Sequence, residues 1–256
     1  IAAVQAVGLA MLATLARRTG ADTRVAETGP RSWSLLVQPI LRMGQLLRSD
    51  ERFRRYENAF MTYGCGFMIC DALLPVILTR RLGLPYDDAA NLAHGVFRGG
   101  MLLMMVPMGW LMDRVGPMRT SALAFGVLAA YPLLLAAASG RGGVALASVV
   151  YGIAMAGVMM TWMLGPVALA SDRSRSAEYV AVHTTLVGLR GMLFPALGMW
   201  LHEITGSFVV PLAVAAAAFA WAAWQMYRLH RRGDMVSATA SGGSIQSPPV
   251  AAASRP

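Results

Sequence analysis

Six apolar runs, each long enough to cross a bilayer, follow one another from residue 57 onward. A helix needs about 20 residues to cross about 30 Å of hydrocarbon. The chain is 56% hydrophobic and only 14% charged, so few polar residues interrupt such helices. The runs therefore predict an all-α membrane protein. They are Glu57–Thr79, Ala89–Met112, Thr120–Ser139, Val144–Ala170, Tyr179–Leu201 and Ser207–Tyr227.

The rest of the chain divides by composition. Residues 1–16 are apolar but too short to span, and we interpret them as the end of a truncated transmembrane helix. Residues 17–56 are rich in arginine and are predicted to form a cytoplasmic loop. Its apolar residues, interrupted near Pro39, indicate either an amphipathic segment on the membrane surface or a simple connector. Residues 57–227 hold the six spans, and residues 228–256, small and polar, are predicted to be a disordered cytoplasmic tail.

The arginines predict the orientation. All 22 basic residues are arginine, and the net charge is +9. If residues 17–56 are cytoplasmic, nine arginines lie in that loop and eight more in other cytoplasmic segments, against three on the opposite side. The positive-inside rule then predicts a multi-pass protein of the cytoplasmic membrane, with both ends of the six-span unit cytoplasmic. We attribute the positive charge to these cytoplasmic loops and not to a nucleic-acid-binding function.

A short charged turn separates the second and third apolar runs. Gly116 and Pro117 favour a turn. Asp113 and Arg114 carry charges that are costly to place in hydrocarbon. The stretch predicts a tight helical hairpin at one face of the membrane.

This turn resembles the signature loop of the major facilitator superfamily of secondary transporters. Gly109, Leu111, Asp113, Arg114 and Gly116 match its pattern Gly-x-Leu-x-Asp-Arg-x-Gly. The resemblance implies the C-terminal six-helix half of a twelve-helix transporter, preceded by the end of span six and a central cytoplasmic loop. It also implies a missing N-terminal half of the same chain as partner. By the same resemblance the loop residues serve coupling and gating, and Asp113 holds the cytoplasmic side closed.

Ionisable residues within spans are costly and point to function. Asp71 and Arg98 each lie roughly 12 Å from the same membrane face, on consecutive helices. We expect them to form an ion pair. The pair either neutralises two charges and fixes helix packing, or takes part in substrate binding and gating.

Arg190 lies deeper, near the middle of its span, and the spans offer no second acid to neutralise it. We expect it either to line the transport cavity and bind an anionic group of the substrate, or to pair with an acid of the missing half. His183 lies seven residues earlier on the same helix face. It either exchanges a proton in coupling or is a hydrogen-bonded packing residue.

These features predict secondary active transport of a small solute by alternating access, with an organic or inorganic anion as substrate. The alternatives are drug efflux by proton antiport and a non-transporting membrane sensor of the same fold. The absence of a phosphate-binding loop argues against an ATP-driven pump. No His-Glu-x-x-His or Gly-x-Ser-x-Gly motif indicates an intramembrane enzyme. Cys65 and Cys70 are interpreted as packing residues, and no cofactor or metal is expected. The expected partners are the solute, a coupling proton and the lipid bilayer.

Overall fold

The described part of the chain is almost entirely helical. A computed structural model describes the backbone of residues 34–170 and 173–242, and the side chains of residues 41–170 and 174–232. Within these residues no strand occurs. Contacts divide the chain into two units, Ile1–Leu46 and Leu47–Pro256.

Helix α1 comprises Ser34–Ser49 and lies in the stretch predicted to be a loop. It runs through Pro39, where the sequence predicted a break. Proline removes a single N–H donor at that position, and the helix continues on its other hydrogen bonds. Whether α1 lies on a membrane or only connects segments stays a prediction.

Five helical stretches are long and apolar enough to cross a membrane, as expected of a multi-pass membrane protein. The second, Tyr86–Ala137, has 52 residues and folds back on itself, so that the described chain provides six spanning segments. The helices are α2 (Glu51–Val76, extended by a π-helical turn Ile77–Arg81), α3 (Tyr86–Ala90, followed by a π-helical turn Asn91–Val96), α4 (Phe97–Leu128), α5 (Ala130–Ala137), α6 (Arg141–Leu169), α7 (Ser176–Thr205, after a short 3-10 turn Arg173–Arg175) and α8 (Val209–Gly242).

Gly116 folds α4 into a hairpin. Its φ of 79° and ψ of 167° lie in a region that is essentially restricted to glycine, and Pro117 begins the returning arm. Phe97, from the first arm, and Tyr131, after the second, both pack on Tyr151 of α6, with ring centroids 4.7 Å and 4.5 Å away. Both arms therefore run alongside α6, as the predicted tight turn requires.

Aromatic side chains form the centre of the bundle. There α2 packs mainly against α7 and α8, and α4 packs mainly against α6. Phe60 and Tyr63 of α2 contact Phe125 of the returning arm, with ring centroids 5.2 Å and 4.7 Å apart. Tyr63 also contacts Phe219 of α8 at 5.9 Å. These large, fully buried rings join three spans and fix the position of α2.

Several helix ends differ from the predicted span ends. The first span begins at Glu51 instead of Glu57. Helix α8 continues to Gly242, although the sequence predicted disorder from Arg228. Apolar runs mark where hydrocarbon would end and not where backbone hydrogen bonding ends, because arginine is itself a good helix former. Residues 1–16 and the end of the tail lie outside the described residues.

Asp50 fixes the start of α2. Its carboxylate accepts a hydrogen bond from the backbone N–H of Phe53 at 2.9 Å, as expected of an N-cap. The same carboxylate accepts a hydrogen bond from the Tyr179 hydroxyl at 2.7 Å. The cap therefore also aligns the first turn of α7 with the first turn of α2.

Candidate functional site

Helices α2 and α7 run parallel and bring polar residues together at the same spacing. Glu57 meets His183, and seven residues further along both helices Gly64 meets Arg190. Seven residues are nearly two helical turns, so each pair lies on the shared face of the two helices. This arrangement creates a buried polar cluster, which we define as Glu57, His183 and Arg190.

Glu57 and His183 form a hydrogen-bonded pair that is shielded from the surface. Nδ1 of His183 lies 2.9 Å and 3.0 Å from the two carboxylate oxygens of Glu57. Both side chains are buried, with 2% and 3% of their surface exposed. Rings of Tyr56, Phe60 and Trp162 surround the imidazole at centroid distances of 5.1 to 6.0 Å. The other ring nitrogen, Nε2, has no hydrogen-bond partner among the described residues.

Arg190 lies halfway along α7 and is turned towards α2. It is 4% exposed and donates a hydrogen bond to the carbonyl of Phe60 at 3.0 Å. Its guanidinium carbon lies 5.2 Å from the centre of the Tyr63 ring. A Cβ on Gly64 would come within 2.5 Å of Nη1 and 2.7 Å of Nε, so only glycine leaves room here. Nε has no partner among the described residues.

Two tyrosines connect the cluster to α6. The Tyr56 hydroxyl donates to the carbonyl of Thr161 at 2.9 Å. The Tyr63 hydroxyl lies 3.7 Å from the sulfur of Met155. The cluster therefore lies between α2 and α7, and the two tyrosines beside it contact α6. A shift of any of these helices would change the surroundings of the cluster.

Glu57 is the functional candidate that the sequence did not reveal. The sequence suggested no acid within the spans that could balance Arg190, because Glu57 was placed at the edge of the first span. In the structure Glu57 lies six residues inside α2 and within one turn of Phe60, whose carbonyl accepts a hydrogen bond from Arg190. The matching seven-residue spacing of Glu57 and Gly64 on one helix and of His183 and Arg190 on another is the signal that could have indicated it.

The ion pair expected between Asp71 and Arg98 does not form. Both residues belong to the described part of the chain, both are exposed on the bundle, and no ion pair joins them. The expectation assumed that consecutive spans are direct neighbours. Instead the Tyr151 ring of α6 contacts both Phe67 of α2 and Phe97 of α4, at 6.5 Å and 4.7 Å, and so separates the two helices at this depth.

The hairpin residues lie apart from the buried cluster. Asp113 and Arg114 are exposed. The guanidinium of Arg114 lies 3.6 Å from the centre of the Trp110 ring, one turn earlier in α4. Gly109 lies in the first arm and Gly116 forms the turn. The structure thus leaves the charges of this loop available at the surface.

Comparisons with known proteins do not identify the chain. Neither the models of known protein families nor the curated proteins give a match. The chemistry of the site is therefore argued from its own residues.

The buried polar cluster combines a guanidinium with an acid–base pair. The carboxylate of Glu57 and the imidazole of His183 meet at one ring nitrogen, Nδ1, and both are chemical groups that can carry a proton. A proton added to the Glu57–His183 pair changes the net charge of a buried site. A changed charge in apolar surroundings favours an arrangement of the helices that gives it water or a counter-charge.

Proposed function

We propose that the chain is a six-span unit of a secondary transporter of the major facilitator type, which moves a small solute by alternating access and couples it to protons. The observation that carries the proposal is the buried Glu57–His183 pair beside Arg190, between two parallel apolar helices. Burying three ionisable residues between apolar helices costs free energy. A purely structural role would be filled more cheaply by apolar residues, so we infer a functional one.

The coupling step follows from the pair's burial. A proton on the Glu57–His183 pair removes negative charge that offsets the positive charge of Arg190. The uncompensated charge then favours a movement of α7 relative to α2. Two atoms have no partner among the described residues and are left for water or a solute group once the helices move. Nε of Arg190 donates, and Nε2 of His183 accepts while the ring is neutral and donates once it is protonated. Proton binding and helix movement are thereby linked, which is what coupled transport requires.

Exposed charges in the middle of two spans support a polar pathway along the surface of the bundle. Asp71 is about ten residues from Arg81, and Arg98 is about twelve from Tyr86, so each lies roughly 15–18 Å inside its helix. Neither charge is tolerated against lipid at that depth. We infer that the surfaces around these two residues face water or a second six-helix half, and that Arg98 attracts an anionic group of the solute.

The hairpin fits a gating role in the same scheme. Asp113 and Arg114 are exposed at the turn, where they are able to contact a facing half of the transporter. The arginine distribution supports a cytoplasmic location for this turn and for both ends of the six-span unit, in the cytoplasmic membrane.

The experiment is an uptake screen in vesicles that contain the purified chain together with the second six-helix half with which the proposal pairs it. A panel of radiolabelled solutes, including phosphate, lactate, a neutral sugar and an organic cation, is tested with and without an inward proton gradient. We expect an anion to accumulate, and the Arg98→Gln variant to raise its KM. Arg80→Gln, which removes an exposed arginine near the end of the same bundle, is the matched control. No uptake of any solute by a folded protein would contradict transport and favour the sensor alternative.

A further inference from the structure

A basic cavity lies between the beginning of α2 and residues 224–232 of α8. It has a volume of about 190 Å³. Three arginines line it, Arg55, Arg228 and Arg232, together with the amide side chains of Asn58 and Gln225. Of the described residues that line it, none is acidic. Guanidinium and amide N–H groups are the donors that recognise a phosphate.

The positive charge of this cavity is only partly balanced. Glu51 accepts a hydrogen bond from Nε of Arg55 at 3.1 Å and neutralises that residue. Arg228 lies over the Trp224 ring at 4.6 Å, which orients its guanidinium without removing its charge. Within the described residues no acid pairs with Arg228 or Arg232. The cavity therefore presents two cationic groups to an anion.

The cavity lies where a lipid headgroup would be. The apolar part of α8 ends with three large aromatic residues that are 42–55% exposed, Trp221, Trp224 and Tyr227. Exposed tryptophan and tyrosine mark the boundary between hydrocarbon and headgroups in spanning helices. Arg228 and Arg232 follow within the next turn and a half of α8, at headgroup level.

An apolar groove adjoins the cavity on the other side of Trp224. It has a volume of about 480 Å³ between the returning arm of α4 and α8, and its walls include Leu123, Ala223 and Tyr227. Arg119 is the one charged residue among the described residues that line it. Trp224 lines both spaces. A free phosphate would use only the basic cavity, whereas a phospholipid would use the cavity for its phosphate and the groove for an acyl chain.

We propose that the basic cavity and the apolar groove together bind one anionic phospholipid. Its phosphate lies between Arg228 and Arg232, and the first part of an acyl chain lies against Leu123 and Tyr227. The site is independent of the proposed transport. Because the bound lipid would bridge α2, α4 and α8, it would stabilise their packing.

Native mass spectrometry of the purified full chain tests this site. The protein in detergent receives an equimolar mixture of dioleoyl phosphatidylglycerol and dioleoyl phosphatidylcholine. We expect the wild type to retain one phosphatidylglycerol. The double variant Arg228→Gln/Arg232→Gln should bind it about 25-fold more weakly, at about fivefold for each arginine. Either single variant serves the same comparison if the double variant fails to fold.

Arg52→Gln is the matched control. Arg52 is an exposed arginine on the first turn of α2 that does not line the cavity. Its removal should change retention by less than about twofold, because charges outside the cavity are screened. Equal losses in Arg52→Gln and the double variant would show general attraction to surface charge and overturn the site.

A second comparison distinguishes a lipid from a free phosphate. Leu123→Ser removes apolar contact from the groove and keeps all the arginines. We expect it to weaken retention of phosphatidylglycerol, and we expect inorganic phosphate in large excess not to displace the lipid. Displacement by inorganic phosphate, or unchanged retention in Leu123→Ser, would overturn the assignment of a lipid.

Discussion

Gly64 allows a charged side chain to be buried at the centre of the bundle. The guanidinium of Arg190 lies directly against the Cα side of this glycine and reaches the carbonyl of Phe60. A larger residue at position 64 would occupy the space that the guanidinium fills. The position of Arg190 therefore depends on a residue of another helix as much as on its own.

We predict that Gly64→Ala displaces Arg190 and lowers the free energy of unfolding by about 1–3 kcal/mol, as expected for overpacking. Thermal unfolding of the detergent-purified chain measures this. Gly188→Ala is the control, since nothing lies within 4 Å of a Cβ at that position. There alanine should be neutral or stabilising by up to about 1 kcal/mol, because it favours helix. Equal destabilisation by the two variants would contradict the packing of Arg190 on Gly64.

At the residue scale the sequence predicted the members of the buried polar cluster that lie on α7, but not the one on α2. Arg190 and His183 could be predicted because charged or titratable residues stand out within an apolar run. Glu57 could not, since it follows an arginine-rich segment and looks like part of it. Its burial depends on α7 lying alongside, which the sequence of α2 does not encode by itself.

The hairpin of α4 depends on one glycine. We predict that Gly116→Ala costs about 1–3 kcal/mol in stability, because its backbone conformation is strained for any other residue. Gly109→Ala is the matched control in the same motif. A Cβ there would make ordinary contact with Met160 at 3.5–3.6 Å, so little change is expected. Thermal unfolding again provides the measurement, and tolerance of alanine at 116 would refute the hairpin geometry.

At the element scale apolar length predicted the spans well but not their neighbours. Each run of about 20 apolar residues corresponds to a helical segment, two of them joined as the arms of the α4 hairpin, because hydrocarbon thickness sets that length. The Asp71–Arg98 pair failed because consecutive helices need not pack side by side. Which helices touch is decided by side chains such as Tyr151, whose ring meets both Phe67 and Phe97.

At the scale of the whole molecule the arginine distribution predicts a testable topology. In a background with Cys65 and Cys70 changed to alanine, a single cysteine at Asp113 should be labelled by a membrane-impermeant maleimide only after cells are opened. A cysteine at Tyr86, which is 81% exposed at the other end of the bundle, should be labelled in intact cells. The reverse pattern would contradict the proposed orientation.

For the whole molecule, the sequence predicted the helical architecture but not the contacts between helices. Composition and hydropathy were sufficient for a bundle of spanning helices, and the turn at Gly116 was recognisable from its residues. The parallel alignment of α2 and α7 arises from contacts more than 100 residues apart, such as Asp50 with Tyr179 and Glu57 with His183. A pattern within one helix does not specify such a contact.

Solute accumulation by vesicles containing Glu57→Gln tests the central claim, proton coupling through the buried cluster, most directly. With any solute that the wild type accumulates under an inward proton gradient, the variant should lose accumulation. It should keep solute exchange at zero gradient, because glutamine occupies the same space but cannot take up the proton. Glu178→Gln, which changes a partly exposed carboxylate paired with Arg175, should accumulate solute normally. Accumulation by Glu57→Gln at the wild-type level would contradict the account.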